Sequence, residues 1–535
     1  MHASDDSVSD LPPSTGLATA LALALGLGAV CSVLIAVPSA LFDLDRFTVP
    51  KELALHTTAL IAGALVLYAA GSRARLGLSD TLLVALTAWS VLSALFATNR
   101  WLGLRGLAIT AAGLAVHLAA RRAAQGGAGG LLRALLVVGL VAAAVTGLAQ
   151  AYGVDLPILA RSRAPGGTLG NRNFLAHLMV IGLPIAGLAF LEARSRLGVV
   201  GLGVALAALA AITVLSRSRA AWLGGLTALA VMMLAAVLSR GKHGPTAPRG
   251  RHRRAAFALG LGVAAALLVP NSLDWRSSTP YLESMRQLTN YREGSGRGRL
   301  IQYRNSLRLV ARDPVFGAGP GNWPVVYPLV TTPGDPSFAA LDPMPTNPWP
   351  SSDWVAILVE RGAIAAALAL AAGLAMALTA LRRLRGEDAG DARRAIALLG
   401  LLTATLITGA FDAVLLLATP VLFAGAGAGL LLPSTGTFWA PPLPSRGRRL
   451  AVAGVLGLGA VLRAGGQTAA IVHAGTGRSV ARLVGAASYD PSSYRIHLMI
   501  AQRTPCSQAR RHAVIAMRLF PYLTAARKRL EDCRR

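Results

Sequence analysis

The sequence predicts an all-α polytopic membrane protein with about thirteen transmembrane helices, one large outer loop and a small C-terminal helical domain. Three observations carry that prediction. The chain of 535 residues is 54% hydrophobic and only 14% charged, with mean hydropathy +0.54. That is more apolar surface than a soluble chain hides. The apolar residues fall in blocks of about twenty, the length that carries a helix across the hydrocarbon core. The sequence does not show the short alternating segments that mark a membrane β-barrel.

Taken in order, the spans lie near residues 17–41, 53–71, 80–98, 102–120, 131–152, 174–192, 198–215, 220–239, 255–270, 355–381, 394–412, 414–432 and 450–470. The run 394–432 is too long for one crossing and is divided near Phe411 and Asp412. The first sixteen residues are acidic and polar, and the apolar run behind them is long enough to be a permanent span rather than a cleaved signal.

Lys and Arg number 52 against 24 Asp and Glu, a formal net charge of +28. In a soluble chain such an excess suggests nucleic acid. In a membrane chain it collects in cytoplasmic loops, so no nucleic-acid partner is expected. The loop RGKHGPTAPRGRHRR (240–254) carries six Lys or Arg and no acid, and RRLRGEDAGDARR (382–394) and RGRR (446–449) are also basic. Placing these three inside divides the chain into an inner tail (1–16), nine spans (17–270), a large outer loop (271–352), four spans (353–475) and an outer helical domain (476–535).

Within the large loop, residues 296–328 open on an amphipathic helix with Leu300, Tyr303, Leu307 and Val310 on one face and Arg304, Arg308 and Arg312 largely elsewhere. The glycines at 317, 319 and 321 follow a proline and mark a tight turn. After residue 475 the chain reads as three or four short amphipathic helices broken at Pro491 and Pro521, with twelve Lys or Arg and three Asp or Glu from 477 onward. Its A-x-x-x-D-P-x-x-Y pattern weakly resembles a tetratricopeptide repeat. Cys31 is expected to pack within the first span. Cys506 and Cys533 both fall in the tail, where an oxidising exterior allows them to pair.

Two groups of charges are out of place. NPWPSSDWVAILVERG (347–362) leads a long apolar run with Asp353, Glu360 and Arg361 in its first turns, and Trp349 and Trp354 at interfacial depth. Asp353 and Glu360 are seven residues apart, so they share a helix face. Arg100, Arg105, Arg161, Arg163, Arg172, Arg217 and Arg219 all fall at outer helix ends, against the bias that keeps cations inside. Arginine grips phosphate oxygens in bidentate fashion, so a cationic cup at the outer lip of a bundle suits a lipid-linked diphosphate. Asn171 and Asn173 stand in GGTLGNRNFLAHL, a glycine-rich turn entering a helix, where free N–H groups face an anion.

Four stretches resemble the O-antigen ligase and polymerase family of bacterial envelope glycosyltransferases. FDLDRFTVPKELAL resembles its first outer loop, TLGNRNFLAHLM its Gly-Asn-x-Asn helix start, and SRSRAAWLG its Ser-Arg motif, which falls on Ser218 and Arg219. ARDPVFGAGPGNW followed by SSDWVAILVERG resembles its glycine turn and distal His-Asn-x-x-Leu-x-x-x-x-Glu-x-Gly element. The resemblance spans roughly residues 40 to 430 and leaves out the tail.

The resemblance implies a multi-pass protein of the bacterial inner membrane with its N-terminus in the cytoplasm and its large loop and C-terminus in the periplasm. Such enzymes take a glycan from an undecaprenyl-diphosphate carrier and pass it to lipid A core, a growing glycan or a protein, without cofactor or metal. Arg219 and Arg299 would hold the diphosphate, with Arg217, Arg172, Asn173 and Arg105 as further binding residues. The distal element departs from the family pattern: Ser351 stands at its histidine and Ser352 at its asparagine. Serine is no base near neutrality, so either Asp353 or Glu360 takes the proton, or deprotonation is unimportant because the leaving group is already good; Asp353, Glu360 and Ser351 are the expected catalytic groups. Two other classes also want a cationic cavity or a docking tail: a flippase for the same lipid-linked glycan, and a non-catalytic polysaccharide assembly protein.

Overall fold

A computed structural model describes residues 14–39, 43–160, 162–243, 249–275, 277–287, 294–332, 335, 337–339, 342–345, 348–475 and 479–534. Twenty helices follow in chain order. They are α1 (Thr15–Leu34), α2 (Asp45–Ala69), α3 (Leu78–Leu95), α4 (Arg100–Gln125), α5 (Gly129–Ala151), α6 (Arg172–Glu192), α7 (Arg196–Leu215), α8 (Arg219–His243), α9 (Arg249–Leu268) and α10 (Pro280–Arg286). Then come α11 (Gly294–Arg312), α12 (Trp323–Val326), α13 (Asp353–Leu384), α14 (Ala389–Phe411), α15 (Ala418–Leu431), α16 (Arg446–Gly475), α17 (Val480–Tyr489), α18 (Tyr494–Arg503), α19 (Cys506–Leu519) and α20 (Thr524–Asp532). A two-stranded antiparallel piece, β1 (Phe338–Ala339) and β2 (Asp342–Pro345), is the minor exception to an all-helical fold.

All thirteen expected spans are helices, and eleven described helices are long and apolar enough to cross a membrane. The other two fall short for local reasons. α9 begins on the basic RGRHRR, and α15 has only 14 residues. The expected break at Phe411–Asp412 is present: α14 ends at Phe411 and Asp412 is extended.

The sequence sets the ends of these helices. Asn99, Asn171 and Ser352 accept backbone N–H bonds and start α4, α6 and α13. Lys51 donates to the carbonyls of Val33 and Ile35 at 3.0 and 2.7 Å, closing the orphan C-terminal end of α1. α6 is the central helix: 83% of its most apolar stretch is buried, against 17–56% in the other spans. It packs against α5, α7, α8, α14 and α15.

α13 is not straight. Gly362 has φ 78°, and a Cβ there would sit 1.9 Å from the Val315 carbonyl oxygen. The turn 313–321 docks into this break, with Ala318 N–H donating to Val359 O and Ala363 N–H to Pro314 O. The glycines at 317, 319 and 321 all have positive φ, so the tight turn is as expected.

Three local expectations change. The buried face of α11 is Gln302, Asn305, Ser306 and Leu309, while Leu300 and Leu307 are exposed. The helix packs on a polar loop: Asn305 Nδ2 donates to Asp335 at 2.9 Å and Trp323 Nε1 to Ser306 Oγ at 2.9 Å. Cys31 lies on an exposed face of α1 rather than in packing. Trp349 is half-buried between cavities instead of lying free at an interface.

The tail folds as four helices with breaks at both prolines. Cys506 and Cys533 are joined as a disulfide, their Cα atoms 5.3 Å apart. Leu498, Phe520 and Leu523 pack on Val325 of the large loop. Asn99 Nδ2 donates to Leu519 O at 2.8 Å, and Arg495 pairs with Asp45 at 3.0 Å, tying the tail to the starts of α4 and α2.

Candidate active site: an arginine-lined cavity

The chain crosses from α5 to α6, α7 to α8 and α9 to α13 at the same end of the bundle, and a cavity of about 490 Å3 opens there. Five arginines line it, Arg163, Arg172, Arg217, Arg219 and Arg299, with Asp412 as the one acid among its lining residues. Asn173, Ser218, Gln302, Trp349 and Ser351 complete its polar wall.

Each arginine is placed by a different local device. Arg163 and Arg217 are the two non-glycine residues of positive φ among the described residues, at 59° and 53°. Left-handed backbone costs such residues on the order of 1–3 kcal/mol and gathers at functional sites. The Arg217 turn is stitched by Ser218 N–H donating to Ser216 Oγ at 3.2 Å. Arg172 opens α6, its N–H donating to Arg163 O at 3.1 Å. Trp275 offers one ring to two cations, with the Arg172 and Arg217 guanidinium carbons 5.0 and 4.9 Å from its centroid. Arg217 also reaches Ser284 Oγ and Glu283, and Arg219 donates to Gln287 O and Ser295 Oγ.

Among the described residues no acid pairs with Arg163, Arg172 or Arg299. A surplus of guanidiniums over carboxylates in a cleft focuses a field that attracts anions. The donors are planar forks that suit phosphate oxygens.

Residues 178–370 match the O-antigen ligase family. That segment is similar to O-antigen ligases. No curated protein matches the chain. The matched segment contains Arg217, Arg219 and Arg299, together with the SRSRAAWLG, ARDPVFGAGPGNW and SSDWVAILVERG stretches. Arg163, Arg172 and Asn173 precede it and enter the cavity from the adjoining turn.

The expected site residues divide into two sets. Arg219, Arg299, Arg217, Arg172 and Asn173 come together in the cavity with Ser351. Ser351 is held through its backbone, its N–H donating to Gln302 Oε1 at 2.7 Å and its carbonyl accepting from Tyr303 OH at 2.6 Å. Asp353, Glu360 and Arg105 lie elsewhere. Asp353 is fully buried, and its two oxygens accept Val414 and Leu415 N–H at 2.9 Å each. Gly409 lets it approach, since a Cβ there would meet Asp353 Oδ2 at 2.7 Å. Glu360 accepts Gly321 and Trp323 N–H at 2.8 and 3.3 Å and faces Arg361 at 3.5 Å. Arg105 pairs with Glu52, which Arg463 also contacts at 2.9 Å. Arg161 lies outside the described residues, and Arg100 is exposed.

Sequence reading did not single out Asp412, Trp275 or His177. Asp412 accepts from Asn173 Nδ2 at 3.3 Å across the cavity wall. His177 sits one turn along α6 from Asn173, buried, with Nε2 3.4 Å from Ser218 Oγ. The outward arginines had a topological signal. An aspartate at a helix break and a tryptophan in a loop had none.

Proposed function

We propose that this protein transfers a glycan from an undecaprenyl-diphosphate carrier to an envelope acceptor, holding the diphosphate in the arginine cavity. The match of residues 178–370 to the O-antigen ligase family supports glycan transfer in envelope polysaccharide assembly. The observation that carries the finer reading is the convergence of Arg163, Arg172, Arg217, Arg219 and Arg299 on one cavity from three separate segments, the α5–α6 connection, the α7–α8 turn and α11.

An acceptor hydroxyl attacks the anomeric carbon, the new C–O bond forms, and the bond from that carbon to the diphosphate breaks. The lipid diphosphate leaves with the electron pair, and the arginines offset the charge that grows on it. The hydroxyl proton must go to a base. Asp353 and Glu360 already accept two backbone N–H bonds each, so in this proposal their role is to hold the α15 entrance and the glycine turn. Asp412 is the carboxylate on the cavity wall, and we assign it the proton. Ser351 borders the acceptor side. The acceptor is lipid A core, a glycan or a protein.

In this reading the cavity opens to the periplasm, residues 271–352 and 476–535 are periplasmic, and the N-terminus is cytoplasmic. The basic loop at 240–254 supports that orientation, and so does a disulfide in the tail. The test is transfer of labelled glycan from a purified lipid-linked donor by the purified protein. Transport of intact donor across a vesicle without transfer would favour a flippase and end this reading.

A further inference from the structure

A second cavity of about 170 Å3 lies beside the first, between the starts of α2, α4 and α13, the end of α16 and the turn joining α17 to α18. Trp349 lines both. Its charges differ in kind from those of the arginine cavity, because they are compensated. Asp45 pairs with Arg495 at 3.0 Å, Glu360 with Arg361 at 3.5 Å, and Glu52 with Arg105. Asp490 is turned onto its own loop, accepting from Ser492 Oγ at 2.6 Å. A dianion gains no net attraction here.

The wall also carries aromatic faces, Trp101, Trp349 and Tyr494, with Trp101 50% exposed. Arg361, which lines the cavity and is 5% exposed, has a buried Nε–H without an acceptor among the described residues. The volume equals about five or six waters at about 30 Å3 each, room for one sugar ring.

We infer that this second cavity binds a neutral saccharide unit of the acceptor, with Trp349 as the wall between acceptor and donor. Sugar hydroxyls both donate and accept, so they serve paired carboxylates and guanidiniums together, while the C–H faces of the ring cover aromatic side chains. The tail contributes Ser493, Tyr494 and Arg495, so the C-terminal helices form part of the binding site. The inference rests on the transferase reading for the word acceptor. The binding itself is measurable without turnover.

The experiment is saturation-transfer NMR on the full-length protein in lipid nanodiscs, with glucose, galactose, mannose and N-acetylglucosamine each offered alone at millimolar concentration. At least one should receive saturation from the protein. That transfer should fall at least fivefold in Trp101→Ala, return in Trp101→Phe, and persist both in Arg219→Ala and under excess inorganic pyrophosphate. Trp101 is half-exposed, so its loss leaves the core intact, and the Phe variant controls for folding. No transfer to any of the four sugars, unchanged transfer in Trp101→Ala, or displacement by pyrophosphate would each overturn the inference. Loss of glycan transfer with sugar binding intact would count against the transferase reading and leave the sugar site standing.

Discussion

Arg172 and Arg217 are held on the same indole, with their guanidinium carbons 5.0 and 4.9 Å from the Trp275 ring centroid. Two like charges from α6 and from the turn before α8 are thus fixed near each other; Glu283 meets Arg217 at 3.3 Å, and among the described residues no acid pairs with Arg172. The ring's negative face offsets part of their repulsion and holds both guanidiniums at the cavity wall. Trp275→Ala removes that support. At about 0.5–1 kcal/mol per cation, donor affinity should fall roughly five- to thirtyfold. Trp275→Phe should retain most of it. Measuring KM for the lipid-linked donor checks this, and an unchanged KM in Trp275→Ala would remove the ring from the site.

The acceptor side gives an opposed pair of expectations. Asp412→Asn should reduce kcat by about a hundredfold or more, the usual scale for losing a general base, with donor binding retained. Ser351→Ala should change the rate little, because Ser351 is held through its backbone. Ser351→His adds an imidazole at the cavity wall and should raise the rate and shift the pH profile. An active Asp412→Asn together with a dead Ser351→Ala would reverse these assignments.

Glu360 should behave as a folding residue. It holds Gly321 and Trp323 N–H groups and sits against the Gly362 break. Glu360→Ala leaves two buried donors and the Arg361 charge unmatched, a loss of about 3–5 kcal/mol on the scale of broken buried pairs. The thermal transition in detergent should drop sharply, and Glu360→Gln should recover part of it. A Glu360→Ala protein with wild-type stability and no transfer would instead make Glu360 part of the chemistry.

Topology is tested with a reporter active only outside the cytoplasm. Fusions after Val330 and at the C-terminus should be active, and a fusion after Gly244 silent. Activity at Gly244 would invert the orientation and put the arginine cavity on the cytoplasmic side.

The spans were legible because bilayer thickness imposes a length and the solvent imposes apolarity, and both are one-dimensional signals. Arg172, Arg217 and Arg219 were legible because they break the charge bias, and Arg299 through the family resemblance. Arg105 broke the bias too, yet its charge is answered by Glu52, which Arg463 also contacts, a pairing between α4, α2 and α16 that no local pattern records. The α11 face was misread for a related reason. Periodicity says which residues are apolar, but the surface that packs on them decides which are buried, and here that surface is the polar turn around Asp335. Asp353 and Glu360 share a helix face as their spacing requires. Their partners, Val414 with Leu415 and Gly321 with Trp323, come from two segments far apart in the sequence.

The central claim is that the arginine cavity grips a lipid-linked diphosphate, and Arg219 is the most direct handle on it. Purified wild-type protein, Arg219→Lys and Arg219→Ala are compared for binding of undecaprenyl diphosphate and for glycan transfer. A lost charge-assisted hydrogen bond is worth about 1.5–3 kcal/mol, so Arg219→Lys should bind and transfer roughly ten- to a hundredfold less well. Arg219→Ala should be weaker still, with expression and thermal transition near wild type. Wild-type binding and transfer by Arg219→Ala would contradict the account and place the diphosphate outside this cavity.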